Sequence, residues 1–396
     1  MGERKIHYSM KSSSLFVNKF SSKFRILFLG ILFLIATFEL KSKSLRFHVF
    51  SGFKRMLDND SQFMDESKAK WGAMLTDNYW CSEPSLDPLP FDECYVDDII
   101  YRIPLFGGMT NAIKMVLLAV IQAYEENRCF FIDESTSHLN NFDKTHFYEN
   151  GFYARYFERI GLSNEDPRVQ KALQEKRIRS LTWQEVWADA KYRRMYDKLT
   201  SIPSLGYEDV PGHELKAIML RRMWRPLPAV RDAACKRVSR LVGNDTYVAM
   251  SVRRGDKDTE LFEFIDMENY ISAAENVFQS RYNNTAQTIF VASDDCTVLS
   301  ELRSKRPHWR FVSECDNSHQ SGFVLTEMEK WKLTDYDSHY EKFFTELFAL
   351  YGASYVFGVA YTNVAWFIYF MRGGKPVNFE LLDKPPKESH IEFKTW

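Results

Sequence analysis

Apolar positions along the chain fall into short continuous runs separated by stretches of helical period. Asp98–Ile103 is predicted as a strand, followed by a glycine turn, Gly107–Asn111 (GGMTN). Asn111–Glu126 is apolar on most sides, as in a buried helix, and Arg128–Ile132 (RCFFI) reads as a second strand. Residues 151–240 read as helical and rich in Arg, Trp and Tyr. Beyond them the pattern sharpens. Thr246–Val252 (TYVAMSV) is a strand, and Met267, Tyr270, Ile271, Ala274, Val277 and Phe278 mark one helix face. Thr288–Ala292 is a strand, Thr297–Ser304 a short helix and Trp309–Val312 a strand. A helix over Tyr340–Tyr351, a strand over Ser354–Val359, a helix over Asn363–Met371 and a strand over Pro376–Phe379 complete the series. Short apolar strands alternating with helices predict an α/β fold with parallel sheets covered on both faces. Two Rossmann-like halves facing a cleft are expected, with ligands beyond the carboxyl ends of the strands.

The amino terminus breaks this pattern. Ile26–Phe38 (ILFLGILFLIATF) is thirteen residues without a charge, bounded by Arg25 and Glu39. Arg4, Lys5, Lys11, Lys19, Lys23 and Arg25 precede it. A spanning helix usually needs about 20 apolar residues, with a lower limit of about 17, so Phe24 and Leu40 must join the run and flanking charges must snorkel. A cleaved signal peptide, whose apolar region is about 7–15 residues, also fits. The long basic lead and the lack of a small-x-small cleavage site favour an uncleaved signal-anchor with its basic end in the cytoplasm. This divides the chain into a cytoplasmic tail (1–25), an anchor (26–40), a turn-rich luminal stem (41–95), two catalytic-body halves (96–240 and 241–385) and a tail (386–396). Three glycosylation sequons, at Asn59, Asn244 and Asn283, agree with secretory exposure.

Composition adds limits. The 396 residues are 45% hydrophobic, enough for a large core. With 52 basic and 53 acidic residues the chain gives no support for nucleic-acid binding, so any anion site must be local. The six cysteines show no zinc-type spacing. Cys81 and Cys94 flank a Pro- and Asp-rich stretch and could close a short loop in an oxidising lumen, or be unrelated thiols.

Four segments carry candidate chemistry. In Val248–Glu260 (VAMSVRRGDKDTE) an apolar strand ends in Arg253 and Arg254, followed by Asp256, Lys257 and Glu260. Two guanidiniums at a strand end suit phosphate oxygens; the plainer reading is one ion-paired arginine and one in solvent. Phe290–Asp295 (FVASDD) ends in Asp294 and Asp295, placed to orient an arginine or bind hydroxyls, or simply to cap the next helix. Ser354–Arg372 places Tyr361, Thr362 and Asn363 between a strand and a helix start, where free N–H groups suit a diphosphate. Finally, Gly107 and Gly108 permit close backbone approach before Asn111, although neither a P-loop nor a dinucleotide fingerprint is present. Asp256-Lys-Asp258 and Asp335-Tyr-Asp337 have the spacing of a metal-binding Asp-x-Asp, but are discounted: the first follows two arginines, and the second lies in a polar stretch before a helix.

In this order the segments resemble the α1,6-fucosyltransferase family, which includes eukaryotic core fucosyltransferases and rhizobial Nod-factor enzymes. The family's HVRRTDKVGTE is similar to SVRRGDKDTE here, with Arg253, Arg254, Asp256 and Lys257 in place and Glu260 matching across a one-residue gap. ATDD appears as ASDD, and Tyr361, Thr362 and Asn363 fall on the family's Ser-Ser-Gln, with Glu346 on an Asp of the preceding helix. MLRRMWRPLPAV and GGMTNAIKMVLLAVIQAYEENRCFFI resemble its preceding helix and first glycine loop. The departures are Ser251 for His and Tyr-Thr-Asn for Ser-Ser-Gln. The animal core enzymes carry an SH3-like domain beyond the position of Gly373–Pro376; none is expected here, which counts against core N-glycan recognition.

The resemblance implies a GT-B-like fold, with 96–240 on the acceptor side and 241–385 binding the donor nucleotide. It implies an inverting transfer of fucose from GDP-fucose to a glycan hydroxyl, without a metal or other cofactor. Arg253 then meets the β-phosphate; Arg254 and Lys257 neutralise the site; Asp256 holds a cation; Glu260 is the base, with Asp294 or Asp295 as fallback. Glu346, Tyr361, Thr362, Asn363, Gly107, Gly108 and Asn111 join Arg254, Asp294 and Asp295 as donor-binding candidates. A nucleotide-sugar donor, a glycan or glycoprotein acceptor and a Golgi membrane, single-pass type II, are the expected partners and location; secretion after signal cleavage is the alternative. A protein O-fucosyltransferase-like enzyme, another GDP-sugar transferase and a degenerate glycan-binding protein are the competing functions.

Overall fold

The structure, a computed structural model, describes residues 81, 88–90, 94, 99–105, 107–135, 137, 139, 151–188, 199–254, 265–282, 288–315, 328, 330–374 and 378–383. All of them belong to one compact unit, Leu75–Trp396. The proposed tail, anchor and most of the stem lie outside the described residues. Among the described residues no helix is long and apolar enough to cross a membrane.

In the first half, β1 (Ile100–Pro104) leads through Gly107 and Gly108 into α1 (Met109–Glu125), and β2 (Phe130–Asp133) returns parallel to β1. α2 (Gly151–Tyr156) and α3 (Pro167–Gln174) follow. β3 (Ile178–Ser180) joins the other edge of β1, again parallel, giving the order β2-β1-β3. α1 is buried from Met109 to Ala123 apart from Asn111, so its nearly all-round apolar sequence has partners on every side. α4 (Trp183–Ala188) precedes an antiparallel pair, β4 (Leu199–Ile202) and β5 (Tyr207–Pro211). α5 (Gly212–Met223) and α6 (Pro228–Val242) lead to the second half. Three strands thus interrupt a stretch read from sequence as helical. β3, β4 and β5 are mostly half-buried or exposed, so they lack the apolar run that marks a central strand.

The second half is a five-stranded parallel sheet. β6 (Tyr247–Val252), α7 (Met267–Tyr282), β7 (Thr288–Ser293), α8 (Thr297–Lys305) and β8 (Arg310–Val312) come first. α9 (Leu333–Gly352), β9 (Tyr355–Gly358), α10 (Asn363–Met371) and β10 (Phe379–Leu381) complete it. The order is β10-β9-β6-β7-β8. Counted from β6, that is the 3-2-1-4-5 arrangement of a Rossmann-type sheet, and it reverses direction between β6 and β9. Every residue of β6 and β7 is buried, and alternation divides them between two faces. Val248, Met250 and Val252 pack with α7 and α8, whereas Ala249, Phe290 and Ala292 join a core containing α1, α9 and α10. That second core crosses between the halves. Phe344 of α9 lies 5.5 Å from Tyr156, 5.6 Å from Phe157 and 5.8 Å from Trp224, centroid to centroid.

Other expectations shift. α9 begins at Leu333 rather than Tyr340, because its first two turns expose polar residues yet bury Tyr336 and Tyr340, four apart. Asp335 and Asp337 therefore lie inside the helix, where Asp337 binds Arg155 and accepts from the Tyr156 hydroxyl at 2.8 Å. The last strand is Phe379–Leu381, starting where Pro376–Phe379 was expected to end. Cys81 does not pair with Cys94. The bridges are Cys81–Cys235, Cys94–Cys129 and Cys296–Cys315. Parallel pairing of Tyr101 with Phe130 sets the entries to β1 and β2 side by side, which brings Cys94 to Cys129.

Phe344→Ala should cost about 3–5 kcal/mol of stability, the range for a buried aromatic truncation. Urea unfolding followed by circular dichroism checks it.

Candidate active site

The geometry of the site follows from one register. β6 and β7 run parallel with Val252 beside Ser293. Extending the pairing by one step sets Arg253 beside Asp294, and by two steps Arg254 beside Asp295. The side chains follow suit. Asp294 Oδ1 accepts the Arg254 backbone N–H at 2.9 Å, while its Oδ2 lies 3.3 Å from Arg253 Nη1. Asp294 is nearly fully buried and Arg253 about one-fifth exposed, so the Arg253 guanidinium is not out in bulk solvent. Arg254 reaches Glu301 of α8 at 2.6 Å and Asp295 at 3.5 Å. Asp295 also accepts from the Thr297 backbone N–H at 2.9 Å and from its hydroxyl at 2.7 Å, fixing the start of α8. Both arginines are therefore ion-paired, and Asp295 combines capping with arginine binding. Cys296, the next residue, is tied by its disulfide to Cys315 beyond β8.

α9 forms the wall behind these pairs. His339, Lys342 and Glu346 share one face at i, i+3 and i+7. Glu346 is 7% exposed, and its Oε1 lies 3.9 Å from Lys342 Nζ, too long for a hydrogen bond. Burial raises the Glu346 carboxyl to about 7 against the opposing pull of Lys342, with Asp294 and Glu314 adding to the rise. Burial lowers His339 to about 3, helped by the positive charges of Lys342 and Arg253, so its imidazole is neutral at physiological pH.

At the switch point, β9 ends in the loop to α10. Thr362 caps that helix, its Oγ1 accepting from the Ala365 backbone N–H at 3.2 Å. The backbone N–H groups of Asn363 and Val364 have no acceptor within the helix. Asp383, just past β10, pins the loop: its Oδ1 accepts the Ala360 N–H at 2.7 Å. Its Oδ2 is buried without a hydrogen-bond partner among the described residues, and burial raises the carboxyl above its usual range. From the first half, Lys114 of α1 donates to Asn363 Oδ1 at 2.6 Å. Gly107 turns the chain into α1 with φ +66°; a Cβ there would stand 2.9 Å from Asn111 Nδ2. Gly108 has room for a side chain, so close packing does not explain it.

The structure thus brings Arg253, Arg254, Asp294, Asp295 and Glu346 together, with Tyr361, Thr362 and Asn363 at the next strand end and the glycine turn linked to them through α1. Asp256, Lys257, Glu260, Asn59 and Asn283 lie outside the described residues. Asn244 is exposed in the turn before β6. Ser251, in the family's His position, is buried, and its carbonyl accepts from the Tyr270 hydroxyl at 3.0 Å. Sequence reading missed Lys114, His339, Lys342 and Asp383. Lys114 had a signal, a lone charge within an apolar helix. The α9 residues had theirs in helical spacing; Asp383 had none.

Among the described residues no cluster of three His, Cys, Asp or Glu side chains could hold a metal.

Residues 216–327 match the family model described as α-(1,6)-fucosyltransferase N- and catalytic domains. The resemblance to the fucosyltransferases is thereby shown. The matched stretch contains both the Arg253–Arg254 and the Asp294–Asp295 pairs. An α-(1,6)-fucosyltransferase of Drosophila melanogaster is 30% identical over 98 residues, which is 24% of this chain and 16% of that protein. The fucosyltransferase NodZ from Bradyrhizobium is 11% identical with a TM-score of 0.43, over 69% of this chain and 93% of that one. POFUT1 in complex with GDP is 10% identical with a TM-score of 0.37, over 73% and 97%.

The Glu346 carboxyl, raised from 4.5 to about 7, holds its proton more tightly in the folded than in the unfolded chain. Its contribution to stability is full below about pH 4.5 and is lost as pH rises to about 7. Glu346→Gln should remove this slope and raise stability at pH 8 relative to the unaltered protein by roughly 1–3 kcal/mol. Chemical unfolding at pH 5 and pH 8 checks it.

Proposed function

We propose that this protein is an inverting glycosyltransferase that moves fucose from GDP-fucose to a glycan hydroxyl. The observation that carries the reading is the Arg253–Asp294 pair at the carboxyl edge of a Rossmann-ordered sheet, within the fucosyltransferase-like stretch. The match to the α-(1,6)-fucosyltransferase model supports fucose as the sugar, and the likeness of SVRRGDKDTE to the family's donor-binding segment supports GDP-fucose as its carrier.

The chemistry follows from charge. As the fucose C1–O bond breaks, negative charge grows on the departing β-phosphate oxygen. Fixed cations and N–H dipoles placed there stabilise the transition state more than the ground state. Arg253 supplies a partly exposed guanidinium, and the first turn of α10 supplies N–H groups across the switch point. Arg254, held by Glu301 and Asp295, neutralises charge at the strand ends rather than meeting substrate. Asp294 and Asp295 are both committed to arginine and backbone partners. The base that takes the incoming hydroxyl's proton is therefore assigned to Glu260, with Lys257 neutralising the diphosphate and Asp256 holding a cation in place. The acceptor oxygen bonds to C1 from the face opposite the leaving GDP, and the anomeric centre inverts. In this reading the arginines replace a metal. The two parallel-sheet halves form a GT-B-like body on a stem and signal-anchor in a Golgi membrane. Three disulfides among the described residues suit such an oxidising lumen.

Incubation with GDP-fucose and a glycan array in the presence of EDTA tests the function. Transfer to a glycan is expected. Transfer only to folded protein acceptors would favour a protein O-fucosyltransferase-like activity, and GDP binding without turnover on any acceptor would favour a glycan-binding role. Arg253→Ala should lower turnover by at least about 100-fold while leaving the fold intact, as loss of an oxyanion-stabilising donor does. Near-normal turnover would remove Arg253 from the mechanism.

A further inference from the structure

We propose that Lys114 is a positioning residue for donor binding, acting from the first half by fixing the side-chain amide of Asn363. The inference rests on the fucosyltransferase reading for the nature of the ligand.

Lys114 sits in the sixth position of α1 and is 3% exposed, in a helix buried almost throughout. A charge in such a place is costly unless it is bound by polar partners. One partner lies across the molecule, 249 residues away in sequence: Asn363 Oδ1, at 2.6 Å. Lys114 Nζ also stands 5.9 Å from the ring centroid of Trp366, one turn further along α10. The cation thus binds α10 at Asn363 and lies over the face of a ring one turn on.

An ammonium has donors and no acceptor. Whatever faces it must be the carbonyl oxygen of Asn363, so the amide group is held in one orientation. Its Nδ2 and two N–H donors are then turned away from Lys114. Asn363 is the first residue of α10 and only half-buried, so these donors add to the N–H groups at the helix start. Without Lys114 the amide can flip at little cost and present its oxygen, which repels a phosphate. Lys114 therefore acts through Asn363, and a nucleoside diphosphate is the ligand class whose binding depends on it.

A double-mutant cycle on the full chain tests this, with GDP binding by calorimetry and steady-state rates with GDP-fucose. Lys114→Met should raise the Kd for GDP and the KM for GDP-fucose by about tenfold, with kcat changed less than about twofold. Asn363→Ala should do the same, and the double variant should be no worse than either single one. Asn363→Asp keeps a partner for Lys114 but has no Nδ2 donors; it should melt like the unaltered protein and still bind GDP about tenfold more weakly. Additive losses in the cycle, or unaltered GDP affinity in Asn363→Asp, overturn the inference while leaving the function standing. Failure of the unaltered protein to bind GDP overturns both.

Discussion

A single carboxylate, that of Asp294, ties the ends of the two central strands. One oxygen takes the backbone N–H of Arg254 and the other faces the guanidinium of Arg253. The bridge joins the residues just beyond the last paired positions of β6 and β7, Val252 and Ser293. An acid and a base side by side in a largely buried place would be a weak source of stability on their own. Their joint value lies in geometry, since each charge keeps the other from wandering.

Behind this bridge the protein keeps unusual ionisation states. Glu346 sits close to Asp294 and holds its proton up to about neutral pH, while His339 stays neutral under the influence of Lys342 and Arg253. Burial is the first cause of both shifts. Behind Asp294, α9 thus presents an uncharged imidazole and a carboxyl that is ionised only in part near neutral pH, so less negative charge gathers there than two ordinary carboxylates would bring.

Much of this was legible in the chain. The apolar runs ending in RR and SDD announce parallel strands with charged carboxyl ends, and Asn363–Met371 was read to the residue. The sequence-level ambiguity between ion pairing and anion binding at Arg253 and Arg254 reflects real physics: both arginines are paired, and the partner that distinguishes them, Glu301, lies on a helix whose orientation no local pattern reveals. Strands β3, β4 and β5 escaped notice because partial exposure removes the apolar signature. The disulfides could not be paired from spacing, since Cys81 finds Cys235 at a separation of 154 residues. Lys114 was visible as an oddity, but its partner 249 residues away was not.

Helix α10 has a mechanical meaning. From Ala365 to Met371 it has no side turned to water, and it lies in the same core as α1 and the aromatic cluster around Phe344. Hinged swinging of one half against the other would have to strip that helix of its neighbours, exposing Trp366, Phe367 and Phe370 together. An apolar core shared in this way holds the two halves in one arrangement rather than leaving them free to swing. The strand ends of the second half and the glycine turn of the first therefore keep a fixed spacing.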